Sequence, residues 1–440
     1  MENIEDNMEN MKDDIENSCT SSRCPECGNK FYYYCKPCNF AHFNKIDKLI
    51  QNSQPNANYR YKLIKWIEYS NLKNIEFVAH GGFGSVYKAI WKGDPIEEEP
   101  YSNINKSKVY RNCNKKVAIK KFRNATSISS EFLNEVRNNL ELNYGYCNLI
   151  YGVTRDPQNG EFAIVIEFQN DGNIRELVKK SHSILNWKLI VFILIGISNG
   201  LCAVHSKNYH HRDFHSGNIL NSTYGGRIYS VISDFGLCCP ANQNSVDKTL
   251  YGVLPFVAPE VLRGGEFTKA ADIYGFGMLM SELISGEAPF IDRDYDLHLA
   301  LDICKGERPP IPEYTPEPYA ALMKRCWDPI PTNRPSVYEL GEKIAIWCDI
   351  IHELSHSRVA MKQEIEKEFS REREDRWKAR LAELATKPFS LKKSQNMLTS
   401  KQLDYSKQLT QLLEAKDVEM ETNDNTYHTR QFDMSLKLLL

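Results

Sequence analysis

The 440-residue chain lacks a bulk excess of either charge: 55 Lys and Arg stand against 57 Asp and Glu, a formal net charge of -2. Nothing in that balance selects nucleic acid or an anionic membrane as a default partner. The opening stretch, MENIEDNMENMKDDIENSCT, is acidic and has no apolar run, so neither a secretory signal nor a transit peptide is expected there. Long hydrophobic runs are missing too. The most apolar stretch, LIVFILIGI at 189–197, is too short to cross a bilayer and is flanked by Lys188 and by Ser198 and Asn199. It reads as a buried core helix. No long-period internal repeat is visible. Cysteine is not scarce: there are 13, with two close CxxC pairs. Without a secretory signal these are expected to be reduced thiols or metal ligands, not disulfides, in an intracellular and most simply cytoplasmic protein.

The length exceeds what one core usually organises, so one large domain with appendages is expected. Residues 1–22 are acidic and poor in large apolar groups, a composition that predicts disorder. A cysteine module occupies 23–42, and 43–71 links it onward; Ile46, Leu49 and Ile50 have helical spacing until Pro55 breaks the pattern. From 72 to about 348 the pattern is that of a compact α+β domain. NIEFVA and SVYKAIW read as strands around a glycine-rich turn, and GDPIEEEPYSNINKSKVYRNCN as a solvated hairpin loop. KKVAIKKF, IYGVT and EFAIVIEF are further strands, EFLNEVRNNLEL is a helix, and the chain after Asp171-Gly172 is mostly helical. Residues 349–390 form a charged helical extension. Ile365, Phe369, Leu381 and Leu384 give it a thin apolar stripe, read either as a helix docked on or trailing the domain or as a coiled-coil seam. Residues 391–440 are expected to be largely disordered, apart from the amphipathic QLTQLLEA.

Several short motifs carry chemistry. AHGGFGSV, 79–86, places glycines between two strands, where the backbone can approach phosphate oxygens and aim N–H groups at them. Ala79 stands where the G-x-G-x-x-G-x-V pattern has its first glycine, at little cost unless positive φ is needed there. VAIK, 117–120, ends in a lysine that is either a solvated strand-end cation or a phosphate contact held by Glu135 on the next helix. HRDFHSGN, 211–218, supplies Asp213 as acceptor for a hydroxyl proton and Asn218 as a metal ligand; SDFG, 233–236, supplies Asp234 as the principal metal ligand. Buried aspartates often merely cap turns. The five pieces stand in the order that phosphoryl transfer requires, where cations neutralise charge spread over phosphate oxygens.

With APE at 258–260, DIYGFG at 272–277 and RCWDPIPTNRPS at 325–336, the segment 72–348 resembles the eukaryotic protein kinases, and within them the tyrosine-kinase-like group. The layout with a cysteine module ahead is similar to a kinase family expanded in mycorrhizal fungi. The resemblance implies a bilobal fold, a small mainly antiparallel sheet lobe with one key helix and a large helical lobe, with ATP and Mg2+ in the cleft. It implies a nucleotide site of Val78, Ala79, Gly81, Gly82, Gly84, Val86, Ala118, Lys120, Glu167, Gln169 and Leu220, with Ile166 as gatekeeper. It further implies an ion pair between Arg334 and Glu260, and Asp272 bracing the catalytic loop from beneath. Arg212, next to Asp213, can order a phosphorylated activation loop in such enzymes; Ser245, Thr249 and Tyr251 are the candidate sites for an upstream kinase or autophosphorylation.

The acceptor hydroxyl is less plain. His215 stands where most serine/threonine kinases have lysine, Gly217 where tyrosine kinases commonly have arginine, and Val253, Pro255 and Phe256 match neither class. Serine/threonine activity is preferred from the overall resemblance. His215 has two readings: a protonated stand-in for the lysine against phosphate, or a residue that packs and hydrogen-bonds locally.

Cys24, Cys27, Cys35 and Cys38 form CxxC-x7-CxxC, which can present four thiolates to a structural zinc ion; redox pairs and unliganded thiols are the alternatives. Against an active enzyme stands a pseudokinase scaffold acting through protein–protein contacts. Lys120, Asp213, Asn218 and Asp234 are all present, which disfavours it. A small-molecule or lipid kinase is disfavoured by APE and by the Glu260 and Arg334 pair.

Overall fold

The computed structural model describes residues 64–82, 84–92, 114–122, 129–142, 145–241, 249–353, 359–386 and 398–413, with the backbone of a short antiparallel pair, Ser22–Arg23 and Lys30–Phe31. The four cysteines of the CxxC pairs, the hairpin loop at 93–113 and Ser245 lie outside the described residues. The chain divides into two compact units: one ends at Asn143 and takes in Leu149–Phe168, and the other comprises Tyr144–Asn148 and the chain from Gln169 onward.

The first unit is built on β1 (Lys65–Trp66), β2 (Leu72–His80), β3 (Gly84–Trp91), β4 (Lys115–Phe122), α1 (Ser130–Leu142), β5 (Ile150–Arg155) and β6 (Phe162–Glu167). The strands form a six-stranded sheet in the order β1-β5-β6-β4-β3-β2, antiparallel except where β1 joins β5. Apolar clusters pack on both faces, so β4 buries four consecutive residues, Val117 to Lys120, and not alternate ones. Side chains on a strand alternate between faces. Val117, Ile119 and Val165 therefore pack with Leu72 and Trp91 on one side, while Phe122 and Ile164 pack with Phe132, Val136 and Leu140 of α1 on the other. Lys120 shares parity with Phe122, so it faces the helix.

In the second unit, α2 (Ile174–Ser181) and α3 (Trp187–Ser206) lead into the hairpin β9 (Ile219–Tyr224) and β10 (Arg227–Ile232), preceded by the short strands β7 (Gly172–Asn173) and β8 (Tyr209–His210). β11 (Cys239–Pro240) and β12 (Leu250–Gly252) follow, then α4 (Lys269–Ser285), α5 (Leu297–Cys304), α6 (Glu317–Cys326) and α7 (Val337–Ile351). Asn186 caps α3 by accepting from Leu189 N at 2.9 Å. The apolar run at 189–197 proves to be part of this 20-residue helix, long and apolar enough by composition to cross a membrane. Length therefore does not decide its role. Ile190, Val191, Ile193, Leu194, Ile197 and Leu201 are all at or below 1% exposed, as in a core helix packed on α7 and β10. α4 is buried all round and ends at Gly286, whose φ of +78° is the left-handed cap that glycine adopts without strain.

Beyond α7, α8 (Val359–Glu368) and α9 (Arg371–Thr386) lie against the unit. Trp377 of α9 stacks on Trp187 with centroids 5.0 Å apart, and Phe369 meets Trp187 edge-on at 5.8 Å. Trp187 N donates to Glu374 Oε2 at 2.7 Å, and Trp187 Nε1 to Ser370 O at 3.0 Å. A side chain at Gly286 would also press on Leu381 Cδ2, at 2.5 Å, where α9 packs. Within 391–440, where disorder is expected, residues 398–413 return to the unit: β13 (Lys401–Leu403) pairs with β12, and Leu409 in the following helical turns is fully buried. Two buried leucines and a three-residue ladder hold what sequence composition alone did not suggest.

Candidate active site

In the first unit the buried cation is Lys120. Its Nζ lies 2.8 and 2.9 Å from the two carboxylate oxygens of Glu135 on α1, with both residues under 10% exposed. A charged pair taken out of water persists only when its geometry is this good, and removing one partner leaves the other stranded. The glycine turn joins β2 to β3, with Gly81 N donating to Gly84 O at 2.8 Å. Ala79 pairs with Val86 in the ladder and has no positive φ, which explains why glycine is dispensable there. Gly84 is not dispensable: a Cβ would meet Lys121 O of β4 at 1.9 Å. Val78 is exposed, Gly82 sits at the bend, and Ala118 is buried in β4 opposite Ile166. Glu167 N donates to Leu149 O at 2.8 Å, and its carboxylate accepts from Tyr151 Oη at 3.1 Å. Lys121 and Asp156 form a second, partly buried pair at 2.5 Å that sequence reading missed.

In the second unit the hairpin sets the chemistry. Its ladder pairs Ile219 with Ile232, so Asn218 and Ser233 emerge at the same end. Ser233 N and Oγ both donate to Asn218 O, at 2.8 and 2.9 Å. Asp234 follows directly, in the left-handed region at φ +64°. Asn218 Nδ2 donates to Asp213 O at 2.9 Å and Asp213 Oδ2 at 3.2 Å. Asp213 is 5% exposed, and its other oxygen, Oδ1, is buried with no hydrogen-bond partner. A buried carboxylate oxygen left unpaired costs free energy unless something else is meant to use it. Leu220 sits in the ladder between Asn173 and Val231, and Gln169 Nε2 donates to Asn148 Oδ1 at 3.0 Å.

Beneath this loop lies Asp272, fully buried near the start of α4. Its Oδ2 accepts from His211 N at 2.9 Å and its Oδ1 from Arg212 N at 3.1 Å, while His205 Nε2 lies 2.8 Å from Oδ2. Burial alone would raise this carboxyl, but the His205 hydrogen bond and charge, with His211, outweigh it and hold it below the ordinary carboxylate value. The brace explains how Arg212 can sit at φ +67°, a conformation costly for a long side chain that persists only when neighbours fix it. His211 is also locked. Asp213 N donates to its Nδ1 at 3.3 Å, so the proton is on Nε2, which donates to Ser233 O at 3.1 Å. Burial pushes this imidazole below its usual value despite the opposing charges of Asp272 and Asp213.

His215 is nearly buried and has local partners. Gly217 N donates to its Nδ1 at 3.0 Å, capping the turn Ser216–Asn218; Nε2 lies 3.5 Å from Asp213 Oδ1, and the ring packs by Phe256. A nitrogen that accepts from an amide carries no proton, which argues against a doubly protonated imidazolium directed at phosphate. Arg212 Nη1 lies 3.5 Å from Cys239 Sγ, with the guanidinium over Phe267. Arg334 forks onto Glu260 at 2.7 and 2.8 Å, as the resemblance implies. Thr249 and Tyr251 are half-buried. A network that sequence reading did not find supports the loop: Ser216 Oγ donates to Glu282 Oε2 at 2.6 Å, and Arg175 Nε to Glu282 Oε1 at 3.0 Å. Its members lie 66 and 107 residues apart along the chain, with no local pattern to announce them. Among the described residues no group of three or more His, Cys, Asp or Glu is set to hold a metal ion.

A buried aspartate with an asparagine amide turned onto it and a second aspartate at the same hairpin end, and in the other unit a lysine held by a carboxylate, are residue types that phosphoryl transfer uses. A profile for protein tyrosine and serine/threonine kinases matches residues 72–344, and the chain belongs to that family. Among similar proteins, R826 of Acanthamoeba polyphaga mimivirus, which carries the name of a serine/threonine-protein kinase/receptor, is 28% identical over 292 residues, covering 65% of this chain and 16% of that protein. DrkD of Dictyostelium discoideum, named as a serine/threonine-protein kinase, is 28% identical over 265 residues, 60% of this chain and 19% of its own length. A third, DDB_G0267514 of the same organism and similarly named, is 28% identical over 275 residues, 62% of this chain and 28% of its own. The chain thus spans less than a third of the length of these relatives.

Proposed function

We propose that the chain is an ATP-dependent protein kinase of the tyrosine-kinase-like group, acting on serine and threonine hydroxyls in intracellular signalling. The observation that carries the reading is Asp213: buried, fixed on one oxygen by Asn218, with its other oxygen, Oδ1, making no hydrogen bond and 3.5 Å from His215 Nε2. That oxygen is the acceptor for the proton of an incoming hydroxyl. The names carried by similar proteins favour serine and threonine as the acceptors.

The donor set fits magnesium and ATP. Asn218, whose Nδ2 is engaged by Asp213, would offer Oδ1 to magnesium, and Asp234, which follows Ser233 at the same end of the hairpin, would offer its carboxylate. Bound magnesium would neutralise charge on the phosphate oxygens as it develops. Lys120, held by Glu135, supplies the cation for the α- and β-phosphates, and the glycine turn from Val78 to Val86 supplies backbone N–H groups. Ala118, Glu167, Gln169 and Leu220 are proposed to contact the nucleotide base. Asp213 Oδ1 orients the hydroxyl for in-line attack on the γ-phosphorus and takes its proton as the new bond forms and the bond from the γ-phosphorus to the β-phosphate oxygen breaks, releasing ADP. We read His215 as positioning this loop through its cap on Gly217 and its approach to Asp213, in place of a direct phosphate contact.

Cys24, Cys27, Cys35 and Cys38 are proposed to bind a structural zinc ion, on their spacing alone. Metal analysis of the purified chain should return one zinc per chain; none would remove this part of the reading. The main test is incubation with magnesium and ATP, mapping labelled residues by mass spectrometry and using Asp234→Asn as control. Phosphoserine and phosphothreonine above the control are expected. Phosphotyrosine alone would overturn the acceptor class, and labelling equal to the control would overturn the activity.

A further inference from the structure

Among the described residues, the tail segment 398–413 lies against the unit that carries Asp213. β13 adds antiparallel to β12, pairing Leu250 with Leu403, Tyr251 with Gln402 and Gly252 with Lys401. β12 runs beside the base: a Cβ on Gly252 would stand 3.9 Å from Asp213 Oδ1. On the upstream side, Arg175 Nη1 donates to Leu398 O at 3.1 Å. The same nitrogen stands 3.6 Å from where a side chain at Gly217, in the catalytic loop, would begin. Downstream, Leu403 and Leu409 are 5% and 0% exposed, and Tyr405 Oη reaches Tyr295 O at 3.5 Å. Between these anchors Ser400 is buried, and its hydroxyl, like Asp213 Oδ1, has no hydrogen-bond partner. The tail thus lies extended past both the catalytic loop and the strand next to it.

An extended segment that adds backbone hydrogen bonds to a strand edge is a recurrent way of capturing a peptide: the main chain supplies affinity, and pockets for alternate side chains supply specificity. A hydroxyl brought to Asp213 must pass close to Gly252, and the edge of that strand is occupied by Lys401–Leu403. We propose that this segment is a built-in competitor for protein substrate, occupying the edge of Leu250–Gly252 until it is displaced. A short ladder suffices for this, because a tethered segment is presented at an effective concentration on the order of mM. The side chains that would distinguish a good external peptide are those the tail uses: an apolar residue at the place of Leu403 and a small hydroxyl residue at the place of Ser400.

The inference rests on the protein kinase reading, and its test separates the two. Full-length Leu403→Asp/Leu409→Asp, which removes both apolar anchors, is compared with the parent on a degenerate serine/threonine peptide library with magnesium and ATP. A second full-length variant, Gln402→Pro, disturbs only the ladder. Both should raise kcat/KM for peptide by about tenfold with KM for ATP unchanged. Amide exchange at Leu250–Gly252 should quicken while that of α3 stays slow. A synthetic peptide of residues 398–413 should then restore the parental rate, competing with library peptide and not with ATP. Equal, non-zero rates in all three chains would overturn the inference alone, as would inhibition by the tail peptide that competes with ATP. No transfer by any chain would overturn the kinase reading and this inference together.

Discussion

Around Asp213 the chain is fixed from several sides at once, whereas the tail strand beside it is held by little. Asp272 takes two successive backbone amides, His211 ties the loop to Ser233, Asn218 holds Asp213 itself, and Glu282 reaches Ser216. Residues 398–413 are held by contacts that include a three-residue ladder, the hydrogen bonds of Arg175 to Leu398 O and of Tyr405 to Tyr295 O, and two buried leucines. The contrast separates two physical tasks. A loop that must hold Arg212 in the left-handed region beside a buried carboxylate, next to a left-handed Asp234 at the hairpin end, has to be over-determined. A segment that must leave needs local stability well below that of the whole domain.

The comparison can be broken at its strong side first. Asp272→Ala strips the acceptor from the His211 and Arg212 amides and strands His205. It should destabilise the helical unit by about 3–5 kcal/mol and abolish activity, read by denaturant unfolding and transfer assays. Trp377→Ala opens the stack on Trp187 at the α9 contact and should cost about 3–5 kcal/mol, with peptide specificity unaltered in the folded fraction. If it cost less than 1 kcal/mol, α9 would belong with the loosely held tail.

His210 and His211 offer a milder perturbation. Burial holds both below the ordinary imidazole value, so the unfolded chain takes up protons first as pH falls. Their contribution is complete above about pH 6.5 and is lost as pH drops through their lowered folded values. The melting temperature should therefore fall between pH 7 and pH 5. A flat profile there would count against the buried, neutral His211 that links the catalytic loop to Ser233.

His215→Ala should cost about 1 kcal/mol through loss of its cap, while His215→Asn, which can still accept from Gly217, should keep most of the rate. A large loss in the Asn variant with a raised KM for ATP would restore the phosphate-contact reading. The smallest effect belongs to the tail: Leu403→Asp/Leu409→Asp should shift global stability by no more than about 1 kcal/mol, even as peptide access changes.

The sheet unit was readable because its strands and the glycine turn are local signals. NIEFVA, SVYKAIW and KKVAIKKF announce β2, β3 and β4 by residue type. Asp213, Asn218, Asp234 and Lys120, which we propose as base, metal-facing groups and phosphate cation, could be singled out because each sits in a short motif. Glu282, Trp377 and Lys401–Leu403 were not. Glu282 acts at a separation of 66 residues from Ser216, Trp377 matters only through Trp187, and KQL is too short and polar to read as a strand. His215 was half legible: its position raised the question, but only the distance to Gly217 N answered how its Nδ1 is used.

If Asp213 Oδ1 takes the hydroxyl proton in phosphoryl transfer, replacing its carboxylate must slow the chemical step itself. The measurement is single-turnover transfer of the γ-phosphate of ATP, compared between the parent and Asp213→Asn at matched melting temperature. The expected result is a loss of about 10²–10⁴-fold in the variant, the usual worth of a positioned general base. Transfer by Asp213→Asn at the parental rate would contradict the account.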